Sequence, residues 1–388
     1  MRPNYMNASS PLPSARDKLL FTPGPLTTSL SVKRAMLHDA GSWHYEFNAK
    51  VSWVRERLLA VAGVSRAAGW EAVLLQGSGT FGVEATFATC VPPHGKVAVL
   101  SNGAYGERMV QMLKHARIDH AVLRTTEHTP NDPAALDQLL AADAAVTHVA
   151  MVHCETTTGI LNPVAELGQV TRRHGRTYIV DAMSSFGAIP IDLEQSGVDF
   201  LISSANKCIE GVPGFSFVIC RRAPLLASEG WARSLSLDLL GQLKGFEKNG
   251  QFRYTPPTHA ILAFEQALLE LEQEGGVAAR GARYQGNQAA LVAGMRQLGF
   301  RPYLEAKVQS YIITSFYFPQ DPRFTFSEFY RRLSDKGFII YPGKISQVDL
   351  FRIGSIGRIF EADIQSLLAA VGQTMREMGI AMPSAASA

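Results

Sequence analysis

The runs Thr177-Tyr-Ile-Val-Asp181 and Phe200-Leu-Ile-Ser-Ser204 decide the fold class. Each is short, apolar and rich in β-formers, which is typical of a strand buried on both faces of a parallel sheet. Similar runs at 72–76, 96–101, 120–124, 148–153 and 215–220 predict further strands, with helical patterns at 106–115, 133–141 and 164–174 between several of them. The alternation predicts an α/β protein with a doubly wound, mostly parallel sheet.

The pattern changes after residue 258. Long helices are predicted over 259–274 and 277–298, followed by strands at 310–316, 338–341 and 350–354. We therefore predict an N-terminal tail at 1–18, a large α/β domain at 19–275, a smaller α+β domain at 276–380 and a tail at 381–388.

Composition argues against several classes of protein. The 388 residues carry a formal net charge of +3 with no basic stripe, which predicts no nucleic-acid partner. The sequence has no apolar run of about 18 residues, so no membrane span is predicted. The first 16 residues lack the apolar core of a secretory signal. The four cysteines show no paired spacing, so we expect free thiols and a cytoplasmic protein.

A glycine-rich turn, Gln76-Gly-Ser-Gly-Thr-Phe-Gly82, follows the first predicted strand of the sheet and precedes a predicted helix. Its backbone N–H groups, with the hydroxyls of Ser78 and Thr80, suit a phosphate group. The spacing also matches a dinucleotide-binding turn, but the next strand ends in Ser101-Asn-Gly103 without the acidic residue that such a site needs. A turn that merely lets strand and helix pack closely is the structural alternative.

Asp181 is the last residue of one predicted buried strand, and Lys207 lies in the loop after another. Ligands bind beyond the carboxyl ends of strands in open α/β sheets, and a buried aspartate there needs a positive partner such as a protonated pyridine nitrogen. A desolvated lysine has a lowered pKa, which favours the free amine needed for a Schiff base. The alternatives are an aspartate that caps the next helix and a solvated loop lysine.

Taken in order, these strings resemble one known family. Gly77-Ser-Gly-Thr80, Glu155-Thr-Thr-Thr-Gly159, Val180-Asp-Ala-Met-Ser-Ser185 and Ser204-Ala-Asn-Lys207 are similar to the motifs of class V, fold type I, pyridoxal-phosphate (PLP) aminotransferases. The resemblance covers residues 19–378. Asn206-Lys-Cys-Ile209 and Thr255-Pro-Pro-Thr-His259 are fairly specific to the branch of the family that acts on phosphonates.

The resemblance implies the PLP-transferase fold type I and the transamination of 2-aminoethylphosphonate with pyruvate, which gives phosphonoacetaldehyde and L-alanine in phosphonate degradation. It also implies a homodimer whose active sites are shared between subunits. For single residues, the resemblance implies that Lys207 would carry PLP as a Schiff base and that Asp181 would pair with the ring nitrogen. The cofactor phosphate would be bound by Ser78, Gly79 and Thr80, the phenolic oxygen would accept a hydrogen bond from Thr156, and Tyr105 would stack on the ring. Thr255 would reach the cofactor of the partner subunit, and Arg352 would bind the acid group of the substrate.

Each role has a structural alternative. Tyr105 could be a core residue, Thr156 a turn residue, Thr255 a helix cap and Arg352 a member of an ion pair. The segment 36–47 departs from the phosphonate branch, with Ala40 in place of a bulky residue and fewer acids after Trp43, which leaves the amino donor open. Alanine– or serine–glyoxylate transamination is the main alternative activity, and a nicotinamide-dependent oxidoreductase is a lesser one. No metal site is expected, since His148 and His153 lie an odd number of positions apart on one strand and face opposite ways.

Overall fold

The computed structural model describes residues 17–343 and 348–381. The predicted tails, 1–18 and 381–388, lie outside the described residues except for positions 17, 18 and 381. The strands are β1 (Leu19–Leu20), β2 (Trp70–Gln76), β3 (Lys96–Ser101), β4 (Asp119–Arg124), β5 (Val146–Val152), β6 (Cys154–Glu155), β7 (Ile160–Leu161), β8 (Thr177–Asp181), β9 (Phe200–Ser204), β10 (Phe215–Arg221), β11 (Ile313–Tyr317), β12 (Phe338–Ile339), β13 (Tyr341–Pro342) and β14 (Leu350–Gly354).

The helices lie between and around these strands. They are α1 (Leu30–Ala35), α2 (Tyr45–Val61), α3 (Gly79–Cys90), α4 (Ala104–His115), α5 (Pro133–Ala142), α6 (Val164–Arg173), α7 (Arg222–Ala227), α8 (Leu239–Asn249), α9 (Thr258–Glu274), α10 (Gly276–Gln297), α11 (Phe326–Asp335) and α12 (Glu361–Glu377).

One seven-stranded sheet forms the centre of the molecule, in the order β2-β10-β9-β8-β5-β3-β4. The five strands from β9 to β4 are parallel, whereas β10 is antiparallel to both of its neighbours. Strand β9 is buried at all five positions, as expected where helices cover both faces. The prediction of a mostly parallel α/β sheet is confirmed, and every strand predicted for it is present.

The C-terminal part has its own small sheet, β11-β14-β13, and its own apolar cluster, formed by residues 291–380 together with Phe21. The large cluster draws on residues 32–271. Strand β1 pairs with β12, so residues 19–20 join the C-terminal part although they lie far from it in the chain. Helices α9 and α10 meet at Gly275, whose φ of +106° suits glycine. We keep the domain division at 275/276 as a prediction.

The topology brings the carboxyl ends of several strands to one edge. Strands β2 and β9 both pair antiparallel with β10, so they run in the same direction. The turn after β2 therefore opens at the same edge as Asp181 at the end of β8 and the loop after β9 that carries Lys207. This edge is where ligands bind in open α/β sheets.

Candidate active site

A cavity lies at this edge. Seven of the residues proposed from the sequence line it: Ser78, Gly79, Thr80, Tyr105, Thr156, Asp181 and Lys207. The wall also contains Arg108, Met183 and Asn206. The structure thus brings together groups that are spread over about 130 positions of the chain.

The glycine-rich turn forms one end of the cavity. Gly77 has a φ of +108°, and Ser78 is the N-cap of α3, so the helix begins where the turn ends. A Cβ atom on Gly79 would overlap the side chain of Met183, which shows that the backbone approaches the opposite wall closely here. The free N–H groups and the dipole of this helix start can bind an anion.

Asp181 is a buried carboxylate, with 6% of its surface exposed. Its Oδ1 accepts a hydrogen bond of 2.8 Å from the backbone N–H of Met183, which begins a turn and not a helix, so the helix-cap alternative is not what the structure shows. Burial raises the pKa of Asp181 to about 6, while the Met183 N–H and the positive charge of Lys207 act in the opposite direction. The carboxylate lacks a full counter-charge, which is a suitable environment for a positively charged ring nitrogen.

Lys207 lies across the cavity in the loop after β9. Its Nζ donates a hydrogen bond of 2.6 Å to the carbonyl oxygen of Pro23. Burial lowers the pKa of the Lys207 amine, and the nearby Tyr105, Cys208 and Asp181 oppose the shift. The solvated-lysine alternative is thus not what the structure shows.

A buried cluster of charged residues, Glu210, Arg280 and Arg283, contacts the turn at residues 207–210, which is called the Lys207 turn below. The N–H of Glu210 donates to the Lys207 carbonyl oxygen at 2.7 Å, and Arg280 donates to the Cys208 carbonyl oxygen at 2.6 Å. Glu210 has a φ of +65°, unusual for a residue other than glycine, and its carboxylate binds Arg283 and Tyr284. These contacts fix the direction in which the lysine side chain leaves the backbone.

Tyr105 and Thr156 are set in place by one buried acid, Glu155. Its carboxylate accepts hydrogen bonds from the backbone N–H groups of Tyr105 (3.1 Å), Gly106 (3.2 Å) and Thr157 (3.0 Å). It therefore joins the start of α4 to the β6–β7 hairpin, whose turn contains Thr156. Tyr105 is only partly buried and faces the cavity, and Thr156 is both a turn residue and a lining residue.

Arg352, on β14, is 2% exposed and does not itself line the cavity wall. Its Nη1 donates to the carbonyl oxygen of Thr156 at 2.6 Å and its Nε to that of Pro342 at 2.8 Å. Burial lowers its pKa, and a hydrogen bond with the Tyr105 side chain opposes this. No carboxylate of the described residues lies within ion-pair distance, so the ion-pair alternative is wrong there.

Thr255 and the divergent segment at 36–47 do not line the cavity of their own chain. Thr255 is exposed and does not cap α9, whose N-cap is Pro257. In the divergent segment, residues 41–46 are all exposed, and the segment borders a separate depression beside α9.

Sequence reasoning assigned no role to Arg108, Met183 and Asn206, which line the cavity, or to Glu155, which positions Tyr105 and the β6–β7 turn. Met183, Asn206 and Glu155 lie within the motifs that carry the family resemblance, and the available signal for Glu155 was an acid directly before a neutral turn. Arg108 lies one helical turn after Tyr105, a spacing that places both side chains on one face of α4.

Comparison with known proteins identifies the family. Residues 38–340 match the family described as Aminotransferase class-V. The chain belongs to the class V aminotransferases. Among its relatives, the 2-aminoethylphosphonate–pyruvate transaminase of Salmonella typhimurium is 54% identical over 364 residues, covering 93% of this chain and 99% of that protein. This confirms the family resemblance, and membership of an aminotransferase family argues against the nicotinamide-dependent alternative.

Solved structures of other aminotransferases share the fold. Ureidoglycine-glyoxylate aminotransferase from Bacillus subtilis superposes with a TM-score of 0.87 at 20% identity, covering 97% of both chains. Pyridoxamine-pyruvate aminotransferase from Mesorhizobium loti gives a TM-score of 0.85 at 23% identity, covering 95% of both chains. The prediction of fold type I is confirmed. The family also implies PLP as the cofactor of this class V aminotransferase.

The residues present fit that cofactor. The cavity offers a helix start for a phosphate, a buried carboxylate for a ring nitrogen and an amine of lowered pKa for an aldehyde. Gly79 leaves no room for a side chain between the turn and Met183, as expected where a backbone must approach a ligand.

Three further observations concern the rest of this aminotransferase. Within residues 17–343 and 348–381, no helix has the length and hydropathy needed to cross a membrane. Over the same residues no group of three or more acidic, histidine or cysteine side chains is arranged to hold a metal ion. The four cysteines are buried free thiols.

Proposed function

We propose that this aminotransferase transfers the amino group of 2-aminoethylphosphonate to pyruvate, giving phosphonoacetaldehyde and L-alanine. The observation that carries the proposal is the 54% identity, over nearly the whole of both chains, to a relative with that activity in its name. The site supports it with an amine, a buried carboxylate and an anion-binding turn that face one cavity.

In this proposal Ser78, Gly79 and Thr80 bind the cofactor phosphate, and Asp181 pairs with the ring nitrogen. Tyr105 packs against the ring, Thr156 bonds its phenolic oxygen, and Lys207 carries the cofactor covalently. When bound, PLP supplies an electron sink for the bond that breaks at the amine-bearing carbon of the substrate.

Lys207 is the proposed proton-transfer group. Since burial lowers the pKa of its amine, an uncharged Nζ is available nearer to neutral pH than in a solvated lysine. Once the amino donor has taken its place, this Nζ would accept the proton that leaves the amine-bearing carbon and would pass it on to the bound cofactor within the same half-reaction. In the second half-reaction it would carry a proton in the opposite direction, to the carbonyl carbon of pyruvate. The Pro23 carbonyl oxygen, 2.6 Å away, is a resting partner for Nζ between these events.

In this proposal Asp181 stays ionised because it faces a positively charged ring nitrogen. On its own the carboxylate titrates near pH 6, because it is desolvated. A positive group placed beside it favours the ionised form, and the ionised carboxylate in turn stabilises that positive group. Asp181 therefore holds a positive charge in the cavity throughout the reaction.

Arg352 is the proposed partner of the substrate's anionic group. Its guanidinium lies behind Thr156 and next to Tyr105 and forms no ion pair among the described residues, although the charge of Glu155 acts on it from a greater distance. A planar guanidinium matches the oxygen geometry of both a phosphonate and a carboxylate, so one residue can serve both half-reactions.

We further propose a homodimer. Thr255 is exposed and outside the cavity of its own chain, as expected for a residue that completes the site of a second copy. A group of large apolar side chains is more than two-fifths exposed, and a second copy would bury it: Leu37, Trp43, Tyr45, Phe81 and Tyr254. Light scattering should give twice the chain mass, and a monomer at micromolar concentration would contradict the proposal.

We propose a cytoplasmic location, supported by four buried free thiols. Fractionation of cells tests this location.

A donor screen tests the activity. The purified enzyme is offered 2-aminoethylphosphonate, L-alanine or L-serine, each with pyruvate or glyoxylate, and the amino acid product is measured by chromatography. We expect L-alanine from 2-aminoethylphosphonate and pyruvate, and no product from the Lys207→Ala variant. Faster transfer from alanine or serine to glyoxylate would assign the enzyme to the alternative activity and would connect the divergent segment at 36–47 with the change of donor.

A further inference from the structure

Arg108 lies on the face of α4 that borders the cavity, one helical turn after Tyr105. Its guanidinium carbon is 4.8 Å from the centre of the Tyr105 ring. Its Nη1 donates a hydrogen bond of 3.4 Å to the Oγ1 of Thr80, which belongs to the glycine-rich turn. The side chain therefore reaches from the helix to the end of the cavity where the turn lies.

Arg108 has no ion-pair partner among the described residues, and its charge acts only from beyond ion-pair distance on the carboxylate of Asp181. The neighbouring acid Glu107 binds Arg124 and Ser101 instead. A half-buried guanidinium that keeps its charge and faces a cavity is well placed to bind an anion.

The other groups at this end of the cavity are neutral. The turn offers two hydroxyls and the N–H groups of a helix start, whose dipole is equivalent to about half a positive charge. A phosphate monoester carries close to two negative charges at neutral pH. Lys207, the other basic residue of the wall, donates a hydrogen bond to the Pro23 carbonyl oxygen, and burial lowers the pKa of its amine. Arg108 is thus the permanent positive charge beside the turn.

We propose that Arg108 binds the cofactor's phosphate directly, together with the Ser78–Thr80 turn, and so makes the site selective for the phosphorylated form of the cofactor. This inference rests on the proposed placement of the phosphate at that turn. A shift of the guanidinium from Thr80 toward the anion exchanges a long hydrogen bond to a neutral hydroxyl for one in which both donor and acceptor are charged.

Binding to the apoenzyme tests the proposal without any measurement of activity. The dissociation constants of PLP and of pyridoxal, which lacks the phosphate, are measured by equilibrium dialysis for the wild type, Arg108→Gln and Arg108→Lys. Loss of one hydrogen-bonded charge is expected to weaken PLP about 10- to 150-fold. Pyridoxal should bind all three proteins within twofold, and Arg108→Lys should recover part of the loss for PLP, since it keeps the charge but not the planar fork.

Lys114→Gln is the matched control, because it removes one positive charge from an exposed position of the same helix. It should leave both dissociation constants unchanged, which separates direct binding from a general loss of charge. Far-ultraviolet circular dichroism and thermal unfolding of each apoenzyme check that the variants fold. If Arg108→Gln were to unfold, the comparison of Arg108→Lys with the wild type would still decide the question.

Two outcomes would overturn the inference. Equal weakening of PLP and pyridoxal in Arg108→Gln would place the effect on Tyr105 and the ring, not on the phosphate. Unchanged PLP binding would show that the turn alone holds the anion. A wild-type enzyme with no preference for PLP over pyridoxal, or with no loss of PLP affinity in Ser78→Ala, would instead refute the placement of the phosphate on which the inference rests.

Discussion

Asp181→Asn should change how the stability of the apoenzyme depends on pH. In the folded chain burial raises the pKa of Asp181 from 3.8 to about 6. A carboxyl group whose pKa is raised on folding stabilises the fold below its unfolded pKa, and this contribution is lost as the pH rises through the folded value. The difference corresponds to about 3 kcal/mol, of which most is lost between pH 4 and pH 7. The cost arises because the unpaired carboxylate is desolvated.

The asparagine variant cannot ionise, while its side-chain oxygen can still accept the hydrogen bond from the Met183 N–H. Urea unfolding of both apoenzymes at several pH values gives the difference in unfolding free energy. Relative to the wild type, the variant should gain about 2 to 3 kcal/mol between pH 4 and pH 7.5. A constant difference across this range would refute the reasoning, because it would mean that Asp181 titrates normally. Saturation of the wild type with PLP should remove the gain, since a positive ring then pairs with the carboxylate.

Three further substitutions test other contacts. Lys207→Ala should stay folded and should show no cofactor adduct by mass spectrometry after borohydride reduction. Gly24→Ala should reduce the adduct strongly, because its Cβ would lie 2.7 Å from the Nζ of Lys207; Gly63→Ala is the matched control, since it shares the positive φ but has nothing within 4 Å. Glu210→Gln should lower the free energy of unfolding by about 3 kcal/mol in urea titrations, because it breaks a buried ion pair, whereas Glu305→Gln, in an exposed pair, should have no measurable effect. An unaltered Glu210→Gln protein would show that the cluster is dispensable.

The large sheet could be predicted from the sequence because its strands are local signals. Three strands, Lys96–Ser101, Thr177–Asp181 and Phe200–Ser204, have the predicted bounds, and the other four differ by two residues or fewer at either end. A strand buried on both faces must be apolar at every position, so its pattern does not depend on its partners. Helix ends were similarly close, since the periodic apolar face is also local.

The C-terminal strands were less predictable because tertiary pairing divides them. The single run predicted at 338–341 forms two strands: Phe338–Ile339 pairs with β1, and Tyr341–Pro342 pairs with β14. Such a division depends on Leu19 and Leu20, which lie more than 300 positions away in the sequence. The run predicted at 310–316 begins three residues later, at Ile313, where pairing with Gly354 begins.

The residues of the site also fall into those that local sequence could place and those that depend on tertiary contacts. Asp181, Lys207 and the glycine-rich turn could be assigned because each follows directly from a predicted strand end. Glu155 and Arg108 could not, because their importance lies in groups they meet across the fold: the start of α4 in one case and Thr80 in the other. A residue such as Thr255 cannot be placed from one chain at all when its proposed partner belongs to another.

The buried charge cluster beside the cavity connects two segments that carry proposed functional residues. Arg283 binds Glu210, which belongs to the Lys207 turn, and it donates to the carbonyl oxygens of Gly357 (2.6 Å) and Ile359 (3.0 Å), in the segment that follows the strand of Arg352. One guanidinium thus connects the turn of the proposed proton-transfer group with the segment of the proposed anion-binding group. Because the link is buried and charged, a change in either segment is costly, and the geometry on which transamination depends is kept by the same contacts that stabilise the fold.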